Sequence, residues 1–395
     1  MDEPIKIVLK SGKESSLMRL HPWIFSGAIK KIYGKPLEGD LVEVYSNHDE
    51  YLATGHYQPG SIMVRILSFK NEKINNSFWK TRISGAFDLR KKCGLVDNPD
   101  TNVFRLVNGE GDFLPGLIID YYNGTVIIQA HSVGMYYQTG KIADVLKDVL
   151  GNRLKCIYSK SDSTLPFKAG IESKGEYLFG KPENNEVKEN GNRFHIDWEE
   201  GQKTGFFIDQ RENRKLLGEY AAGKKVLNMF CYTGGFSVYS LKSGAELVHS
   251  VDSSKKAIEL TNINIEINFP GDKRHTAYMM DAFRFMDQSE QAYDLIILDP
   301  PAFAKHQSAL NNALQGYKKL NKRAIEKINK GGIIFTFSCS QAVSRENFRK
   351  SVFAAAANTG RQVRILHQLS QPFDHPVSIY HPEGEYLKGL VIQVE

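Results

Sequence analysis

Residues 225–235 read KVLNMFCYTGG, an apolar run that breaks into a turn containing two adjacent glycines. A helical segment follows at 236–242, and a second apolar run at 246–251 ends at Asp252. Strand, glycine turn, helix and strand in this order are typical of a doubly wound α/β sheet, where ligands bind at the carboxyl ends of the strands. The glycines let the backbone approach a ligand, and Asp252 can accept hydrogen bonds from both hydroxyls of a ribose. We therefore predict a nucleoside site here.

Acidic residues also follow the next two predicted strands of this sheet. Asp281 comes directly after the strand predicted at 276–280, and Asp299 comes directly after the one at 293–298. Asp281 can accept a hydrogen bond from an adenine amino group, although capping of the next helix explains it equally well. Two prolines after Asp299 fix its carboxylate at the sheet edge, as they would in a purely structural turn. Because the glycine turn lacks the G-x-G-x-x-G pattern of dinucleotide sites, the three acids favour S-adenosylmethionine as the ligand.

A cysteine, Cys339, follows the fifth predicted strand, 332–338. Carbon 5 of a pyrimidine is a poor nucleophile toward a sulfonium methyl group, but addition of a thiolate to carbon 6 gives an enamine whose carbon 5 can attack. A cysteine beside a methyl donor would supply that thiolate. Cys231 in the glycine turn is the rival, and many cysteines are inert buried residues. We predict Cys339 as the nucleophile, since Cys231 is expected to face the amino-acid end of the cofactor.

An arginine, Arg211, ends the stretch QKTGFFIDQR at 202–211, which precedes the first strand of the sheet. A guanidinium group can hold the carboxylate of the cofactor with two hydrogen bonds. A helix start with solvated charges explains the stretch equally well, so both interpretations stay open at this point.

Two further domains are predicted before this sheet. Short apolar runs broken by glycines indicate a small β-barrel or sheet between Ile5 and about Phe69. An α+β unit follows, with helices and strands predicted at 78–93, 103–107, 117–120, 126–130, 136–150 and 155–159. The stretch 181–192 is polar, has no hydrophobic period and separates that unit from the sheet. We predict domains at 1–73, 74–188 and 189–395.

The composition is that of a folded protein, with 41% hydrophobic and 24% charged residues among 395. The net charge of +6 permits an anionic partner such as RNA without requiring one. Four widely spaced cysteines with no C-x-x-C pair argue against a zinc site or a disulfide framework, so no metal is expected.

No apolar run approaches the roughly 18 to 20 residues of a membrane-spanning helix, and the charged N-terminus lacks a secretory pattern. We expect a cytoplasmic protein that does not enter a membrane.

Several motifs together resemble one family. They are HPWIFSGA at 21–28, QKTGFFIDQR at 202–211, CYTGGF at 231–236, DPP at 299–301, SCS at 338–340, DHP at 374–376 and YLKG at 386–389. In this order they are similar to the RlmI-type family, class I S-adenosylmethionine-dependent methyltransferases that modify cytosine at C5 in large-subunit ribosomal RNA. The resemblance spans nearly the whole chain.

The resemblance implies a PUA domain that helps to hold RNA, a central α+β domain and a Rossmann-like methyltransferase domain. The last of these has a seven-stranded sheet, and its final two strands are expected at 363–368 and 386–394, the last one antiparallel. The partner is ribosomal RNA of the large subunit. The sequence leaves open whether the chain forms a homodimer.

The resemblance also implies roles for individual residues. Cys339 corresponds to the cysteine that attacks C6, and Asp299 to the acid that hydrogen-bonds the base near N3. The cofactor is S-adenosyl-L-methionine, with contacts expected at Phe230, Tyr232, Thr233, Gly234, Asp252, Ser253, Asp281, Ala282, Asp299 and Arg211. One departure is Ala302 after the two prolines, where another branch of cytosine methyltransferases has a cysteine, so that catalysis has to depend on Cys339 alone.

Three other functions stay open on the sequence. Methylation of a base nitrogen would use Asp-Pro-Pro with an aromatic residue and no cysteine, and Phe303 is aromatic but lies one position late. Methylation of uracil at C5 also needs a thiolate, but that chemistry is expected to carry Asn-Pro after the cysteine, where this chain has Ser340 and Gln341. An RNA-binding protein with a vestigial fold would bind the cofactor or RNA with no turnover.

Overall fold

The computed structural model describes residues 5–165, 170–171, 174–304 and 306–395. The chain divides into two compact units. Unit 1 comprises Met1–Val187, Ile196–Ile208 and Phe373–Gly384, and unit 2 comprises Lys188–His195, Asp209–Pro372 and Glu385–Glu395. The boundary predicted after residue 188 lies one residue from the change between units at Val187 and Lys188. Two segments later in the chain, Ile196–Ile208 and Phe373–Gly384, also belong to unit 1. The division of the chain into domains at 1–73, 74–188 and 189–395 stays a prediction.

The first part of unit 1 is a six-stranded β-sheet, which confirms the predicted N-terminal β-domain. Its strands are β1 (Ile5–Leu9), β2 (Trp23–Phe25), β3 (Ile29–Tyr33), β4 (Leu41–Tyr45), β5 (Tyr51–Tyr57) and β6 (Ile62–Ser68), with a short helix α1 (Ser15–Met18) after β1. The strand order is β2-β6-β5-β4-β1-β3. In β4, Val42 and Val44 are buried while their neighbours are more exposed, because alternate side chains of a strand point to opposite faces.

The second part of unit 1 combines helices with a five-stranded sheet of order β11-β10-β9-β8-β7. Its elements are α2 (Asn76–Lys92), β7 (Val103–Asn108), β8 (Leu117–Tyr122), β9 (Thr125–Ala130), α3 (Val133–Tyr137), α4 (Thr139–Leu150), β10 (Cys156–Ser159) and β11 (Glu176–Gly180). Trp79 of α2, Ile128 of β9 and Leu146 of α4 share one hydrophobic core. The helix predicted at 136–150 is two helices that meet at Gln138, and α3 begins earlier because Ser132 caps it.

Two short strands follow, β12 (Glu186–Glu189) and β13 (Asn192–His195). The stretch 181–192, which showed no period in the sequence, therefore contains a strand.

Unit 2 is built on a seven-stranded, mostly parallel sheet, which confirms the predicted Rossmann-like fold. The elements are α5 (Arg211–Ala221), β14 (Lys225–Met229), α6 (Gly235–Lys242), β15 (Leu247–Asp252), α7 (Lys255–Asn268), β16 (His275–Met279), α8 (Ala282–Gln288), β17 (Tyr293–Leu298), α9 (Leu310–Lys327), β18 (Ile328–Ser338), α10 (Arg345–Thr359), β19 (Val363–Leu369) and β20 (Lys388–Val394). Their order in the sheet is β16-β15-β14-β17-β18-β20-β19, and β20 is antiparallel to both of its neighbours.

Short 3-10 helices lie at Ser26–Ala28, Gly109–Asp112, Gly151–Arg153, Ile208–Gln210, Gln307–Ala309 and Pro382–Gly384. Within the described ranges, no helix combines the length and the apolarity that crossing a bilayer requires.

The register of unit 2 aligns the carboxyl ends of its parallel strands. Met229 at the end of β14 pairs with Val251 of β15 and with Leu298 of β17, and Leu298 pairs with Thr336 of β18. The residues that follow these strands therefore emerge along one edge of the sheet, where the sequence places the predicted ligands.

Candidate active site

The loop between β14 and α6 has left-handed backbone at three positions: φ is 59° at Phe230, 48° at Tyr232 and 75° at Gly234. Left-handed conformations strain residues other than glycine, and such strain is concentrated at binding and catalytic sites. Phe230 and Tyr232 are not glycines, so the surrounding structure must stabilise this conformation.

Side chains of α7 provide that support. Thr261 Oγ1 donates a hydrogen bond to the Tyr232 carbonyl at 2.8 Å, and Asn264 Nδ2 donates to the Thr233 carbonyl at 2.9 Å. Both side chains are fully buried. The loop is thus held in one conformation by the helix beneath it.

Asp252 connects the end of β15 to this loop. Its carboxylate accepts a hydrogen bond from the Tyr232 N–H at 3.0 Å and another from the Ser254 N–H at 2.9 Å. Ser253 beside it is exposed. The predicted acid therefore lies at the carboxyl edge of the sheet and against the glycine turn, as a ribose contact would need.

Asp281 follows β16 at the same edge. Its Oδ1 accepts a hydrogen bond from the Arg284 N–H at 3.0 Å, so it caps α8, while Ala282 beside it is buried. The capping role that the sequence left open is thus present, and an adenine contact by the same side chain stays a prediction.

Asp299, at the end of β17, belongs to a chain of side-chain amides. Gln210 Nε2 donates to Asp299 Oδ2 at 3.0 Å, and Asn213 Nδ2 donates to Gln210 Oε1 at 2.6 Å. Gln210 and Asn213 are 2% and 4% exposed. Because both amides are buried and bonded to each other, they fix the orientation of the carboxylate of Asp299.

Cys339 is half-buried at the end of β18, beside the residues that follow β17. Its Sγ lies 3.9 Å from the Pro300 carbonyl oxygen. Since Pro300 directly follows Asp299, the structure brings the predicted nucleophile and the predicted acid to adjacent strand ends.

The other cysteines have different surroundings. Cys231 is buried, its Sγ lies 3.6 Å from Thr261 Oγ1, and burial raises the pKa of its thiol to about 12. Burial likewise raises the pKa of Cys156 to about 11, and Cys93 is exposed on unit 1. The Cys231 thiol thus stays protonated at neutral pH, which disfavours it as the rival nucleophile.

Ser340 organises the chain after Cys339. Its hydroxyl lies 2.9 Å from the Tyr317 hydroxyl and accepts a hydrogen bond from the Ala304 N–H at 3.3 Å. Its carbonyl accepts a hydrogen bond from Lys388 Nζ at 2.7 Å. Buried side chains from two other elements therefore hold the segment that carries the thiol.

Arg211 begins α5 and is 1% exposed. Its Nε donates a hydrogen bond to Glu212 Oε1 at 3.1 Å. The arginine is thus not a solvated charge at a helix start, and its contact with the carboxylate of the cofactor stays a prediction.

Phe303, the aromatic residue considered for nitrogen methylation, packs against α9. Its ring centroid lies 4.7 Å from that of Tyr317, and it covers Gly316 of α9. A side chain packed on α9 in this way is a poor candidate for gripping a base.

No sequence pattern predicted roles for Gln210, Asn213, Tyr317 or Lys388. Gln210 lies in the stretch 202–211, where only Arg211 was predicted to bind the cofactor, and its amide pairs with an acid 89 positions away. Lys388 did carry a signal, since it is the one charged residue in the apolar strand KGLVIQV. The next residue of that strand is glycine because a Cβ there would lie 2.7 Å from the Phe337 ring.

Comparisons with known proteins show which families this chain resembles. A family model for S-adenosylmethionine-dependent methyltransferases matches residues 159–378, and one for PUA-like domains matches residues 7–69. Proteins named ribosomal RNA large subunit methyltransferase I are similar over 98% of this chain: one from Alteromonas mediterranea is 38% identical over 98% of its length, and one from Pseudoalteromonas atlantica is 40% identical over 99%.

Solved structures similar to this chain are also methyltransferases. A Streptococcus mutans protein described as a SAM-dependent methyltransferase has a TM-score of 0.84 and 26% identity, covering 98% of this chain and 100% of that chain. A methyltransferase structure complexed with SAH has a TM-score of 0.85, with the same identity and coverage.

The residues on the sheet edge fit such a cofactor. The strained loop and the carboxylate of Asp252 form one surface through the Tyr232 N–H, and this surface can receive a nucleoside. The loop and the Asp252 carboxylate are already joined by this hydrogen bond.

Proposed function

Because the chain belongs to the S-adenosylmethionine-dependent methyltransferases, in the family of ribosomal RNA large subunit methyltransferase I, we propose that it methylates C5 of a cytosine in large-subunit ribosomal RNA. The proposed reaction proceeds through a covalent adduct between Cys339 and C6 of the base. The observation that carries this proposal is the position of Cys339 Sγ, 3.9 Å from the carbonyl oxygen of the residue after Asp299.

The cofactor is proposed to bind along the carboxyl edge of the sheet. Asp252 would accept hydrogen bonds from the ribose hydroxyls, and Asp281 from the adenine amino group. The proposed contacts along the loops are Phe230, Tyr232, Thr233, Gly234, Ser253 and Ala282, with Arg211 and Asp299 closing the site. S-adenosylmethionine supplies an electrophilic methyl group on a sulfonium centre.

The chain's own residues activate the base. The electron pair of the Cys339 thiolate forms a bond to C6, and C5 becomes nucleophilic as the C5–C6 double bond is lost. Asp299 hydrogen-bonds the base near N3 and stabilises the charge that develops there. After C5 has gained the methyl group, its proton passes to water and the electron pair of the C5–H bond restores the C5–C6 double bond. The C6–S bond breaks at the same time, and the sulfur leaves with its electron pair as the thiolate. The cytosine must be unpaired or flipped out to reach these groups.

The deciding experiment is methyl transfer from tritiated S-adenosylmethionine to ribosomal RNA from cells that lack the enzyme. Nucleoside analysis of the product should find the label in 5-methylcytidine. Label in a guanine, an adenine or a uracil would replace the proposal with one of the alternatives, and binding without transfer would make the chain an RNA-binding protein.

The nucleophile is tested with Cys339→Ala, using Cys93→Ala as the matched control on an exposed cysteine. Cys339→Ala should bind S-adenosylhomocysteine as the wild type does and transfer no methyl group, while Cys93→Ala should keep full activity. RNA carrying 5-fluorocytidine should trap a covalent complex with the wild type, because fluorine cannot leave C5 as the proton does. Full activity of Cys339→Ala, or a trapped complex with that variant, would remove the proposed nucleophile.

A further inference from the structure

Lys388 is a buried cation at the start of β20. It is 3% exposed, although lysine side chains are rarely buried. In the part of the chain that the structure describes, no carboxylate lies within ion-pair distance of its ammonium group, and Glu385, the acid nearest in sequence, pairs with Arg345. A buried charge without a counter-charge is costly, so the position of Lys388 points to an anion that forms during function.

The register of the sheet brings Lys388 to Cys339. The Cα atom of Lys388 is paired with that of Ser338, because β20 is antiparallel to β18. Its Nζ donates to the Ser340 carbonyl at 2.7 Å. The side chain therefore begins opposite the residue before Cys339 and ends at the residue after it.

The pKa of Lys388 also depends on Cys339. Burial lowers the pKa of Lys388 to about 8, and a negative charge on Cys339 has the opposite effect on that pKa. An anionic sulfur close to the ammonium group thus favours the charged lysine, and by reciprocity the charged lysine favours the anionic sulfur.

Other charged and titratable groups around Lys388 do not supply this anion. Tyr317 of α9 faces the same segment, and burial raises its pKa, so its phenol is neutral at physiological pH. Glu385 before β20 raises the pKa of Lys388 and Arg345 of α10 lowers it, and the two neutralise each other in their ion pair. Among the described groups that act on Lys388, Cys339 is therefore the best candidate for the counter-charge.

We propose that Lys388 is a positioning residue whose ammonium group stabilises the thiolate form of Cys339. The inference rests on the proposed function, in which Cys339 attacks C6. The thiol proton leaves to water and Lys388 keeps its own proton. The electron pair that stays on Sγ then forms the C6–S bond and returns to Sγ when that bond breaks.

Alkylation of the full-length protein by iodoacetamide measures this effect without RNA or cofactor. The rate at Cys339 is followed by peptide mass spectrometry across pH, and Cys93, the exposed cysteine in the same molecule, is the internal reference. The pH at half-maximal rate should be about one unit or more lower for Cys339 than for Cys93. An equal or higher value for Cys339 in the wild type overturns the proposal and needs no variant.

Variants of Lys388 show whether its charge or its packing changes the pH at which Cys339 is alkylated. Lys388→Met should raise the half-maximal pH of Cys339 and slow its alkylation at pH 7 by about tenfold or more, while Lys388→Arg should keep the low value. Lys330→Met, which removes an exposed lysine from β18, should leave it unchanged. If the Lys388→Met protein does not fold, Lys388→Gln takes its place, and an unchanged half-maximal pH in the folded neutral variant overturns the proposal.

Methyl transfer gives the second readout. Lys388→Met should lower kcat at pH 7 about tenfold or more with little change in KM, and raising the pH should restore part of the loss. If Lys388 had only a structural role, its replacement would not change how kcat depends on pH. If Cys339→Ala transfers methyl groups at the wild-type rate, the proposed function fails, yet the alkylation profile still decides whether Lys388 acts on the thiol.

Discussion

Gln210 donates a hydrogen bond from Nε2 to Asp299 Oδ2 at 3.0 Å, and both residues belong to unit 2. The amide of Gln210 is fixed in turn by Asn213, which donates to its carbonyl oxygen at 2.6 Å. A buried amide that can donate to only one oxygen of the carboxylate decides how Asp299 is oriented toward a substrate. Gln210 is therefore a positioning residue for the proposed acid.

Replacing Gln210 by alanine should lower kcat for methyl transfer by about 10- to 100-fold, because the reacting groups lose their alignment. The affinity for S-adenosylhomocysteine, measured by calorimetry, should change little. Gln288→Ala, which removes an exposed glutamine from the end of α8, is the matched control and should keep full activity. Equal rates for the two variants would show that Asp299 does not need this partner.

Asp252 is expected to control cofactor affinity. Its two oxygens accept hydrogen bonds from the N–H groups of Tyr232 and Ser254, and the same carboxylate is proposed to receive the ribose hydroxyls. Asp252→Asn removes the charge and turns an acceptor into a donor that faces other donors. We expect the Kd for S-adenosylhomocysteine to rise about 10-fold or more, since each unmatched polar contact costs about 1–3 kcal/mol.

The control for Asp252→Asn is Asp287→Asn, an equivalent change at an exposed acid of α8 that pairs with Arg323 on the surface. Calorimetric titration should give the wild-type Kd for the control. A wild-type Kd for Asp252→Asn would instead place the ribose elsewhere on the sheet edge.

The framework of the site was predictable because its signals are local. Asp252, Asp281 and Asp299 each follow an apolar run directly, and parallel strands must bring their carboxyl ends to one edge. The same reasoning placed Cys339 beside them. Apolar runs also predicted the N-terminal β-sheet and five strands of the C-terminal sheet, whereas its last two strands were expected only from the family resemblance.

The pairing of Gln210 with Asp299 was not predictable because its signal is not local. The bond from Gln210 to Asp299 joins residues 89 positions apart, and no periodicity encodes such a pair. Lys388 was overlooked for a different reason, since a lysine is expected at the surface and only the packed sheet buries it. The break between α3 and α4 escaped prediction because the apolar spacing continues across Gln138.

We expect His56 in β5 to make the stability of unit 1 depend on pH. It is 2% exposed, neither ring nitrogen has a hydrogen-bond partner within the described structure, and its ring stacks on Trp79 with centroids 6.5 Å apart. Burial, helped by the charge of Arg65, lowers the pKa of His56 to about 4 from its ordinary 6.5. The unfolded chain therefore takes up this proton below about pH 6.5, whereas the folded chain does so only near pH 4, so stability is lost as the pH falls through that window.

His56→Leu removes this loss and should stabilise unit 1 more at pH 5 than at pH 7.5, by about 2 kcal/mol. Urea unfolding followed by tryptophan fluorescence measures it, because Trp23, Trp79 and Trp198 all belong to unit 1. The other histidines are the same in both proteins and cancel in the comparison. His48→Leu at an exposed position is the control and should show no such pH dependence. A gain that is equal at the two pH values would mean that packing against Trp79, and not a suppressed protonation, explains the effect.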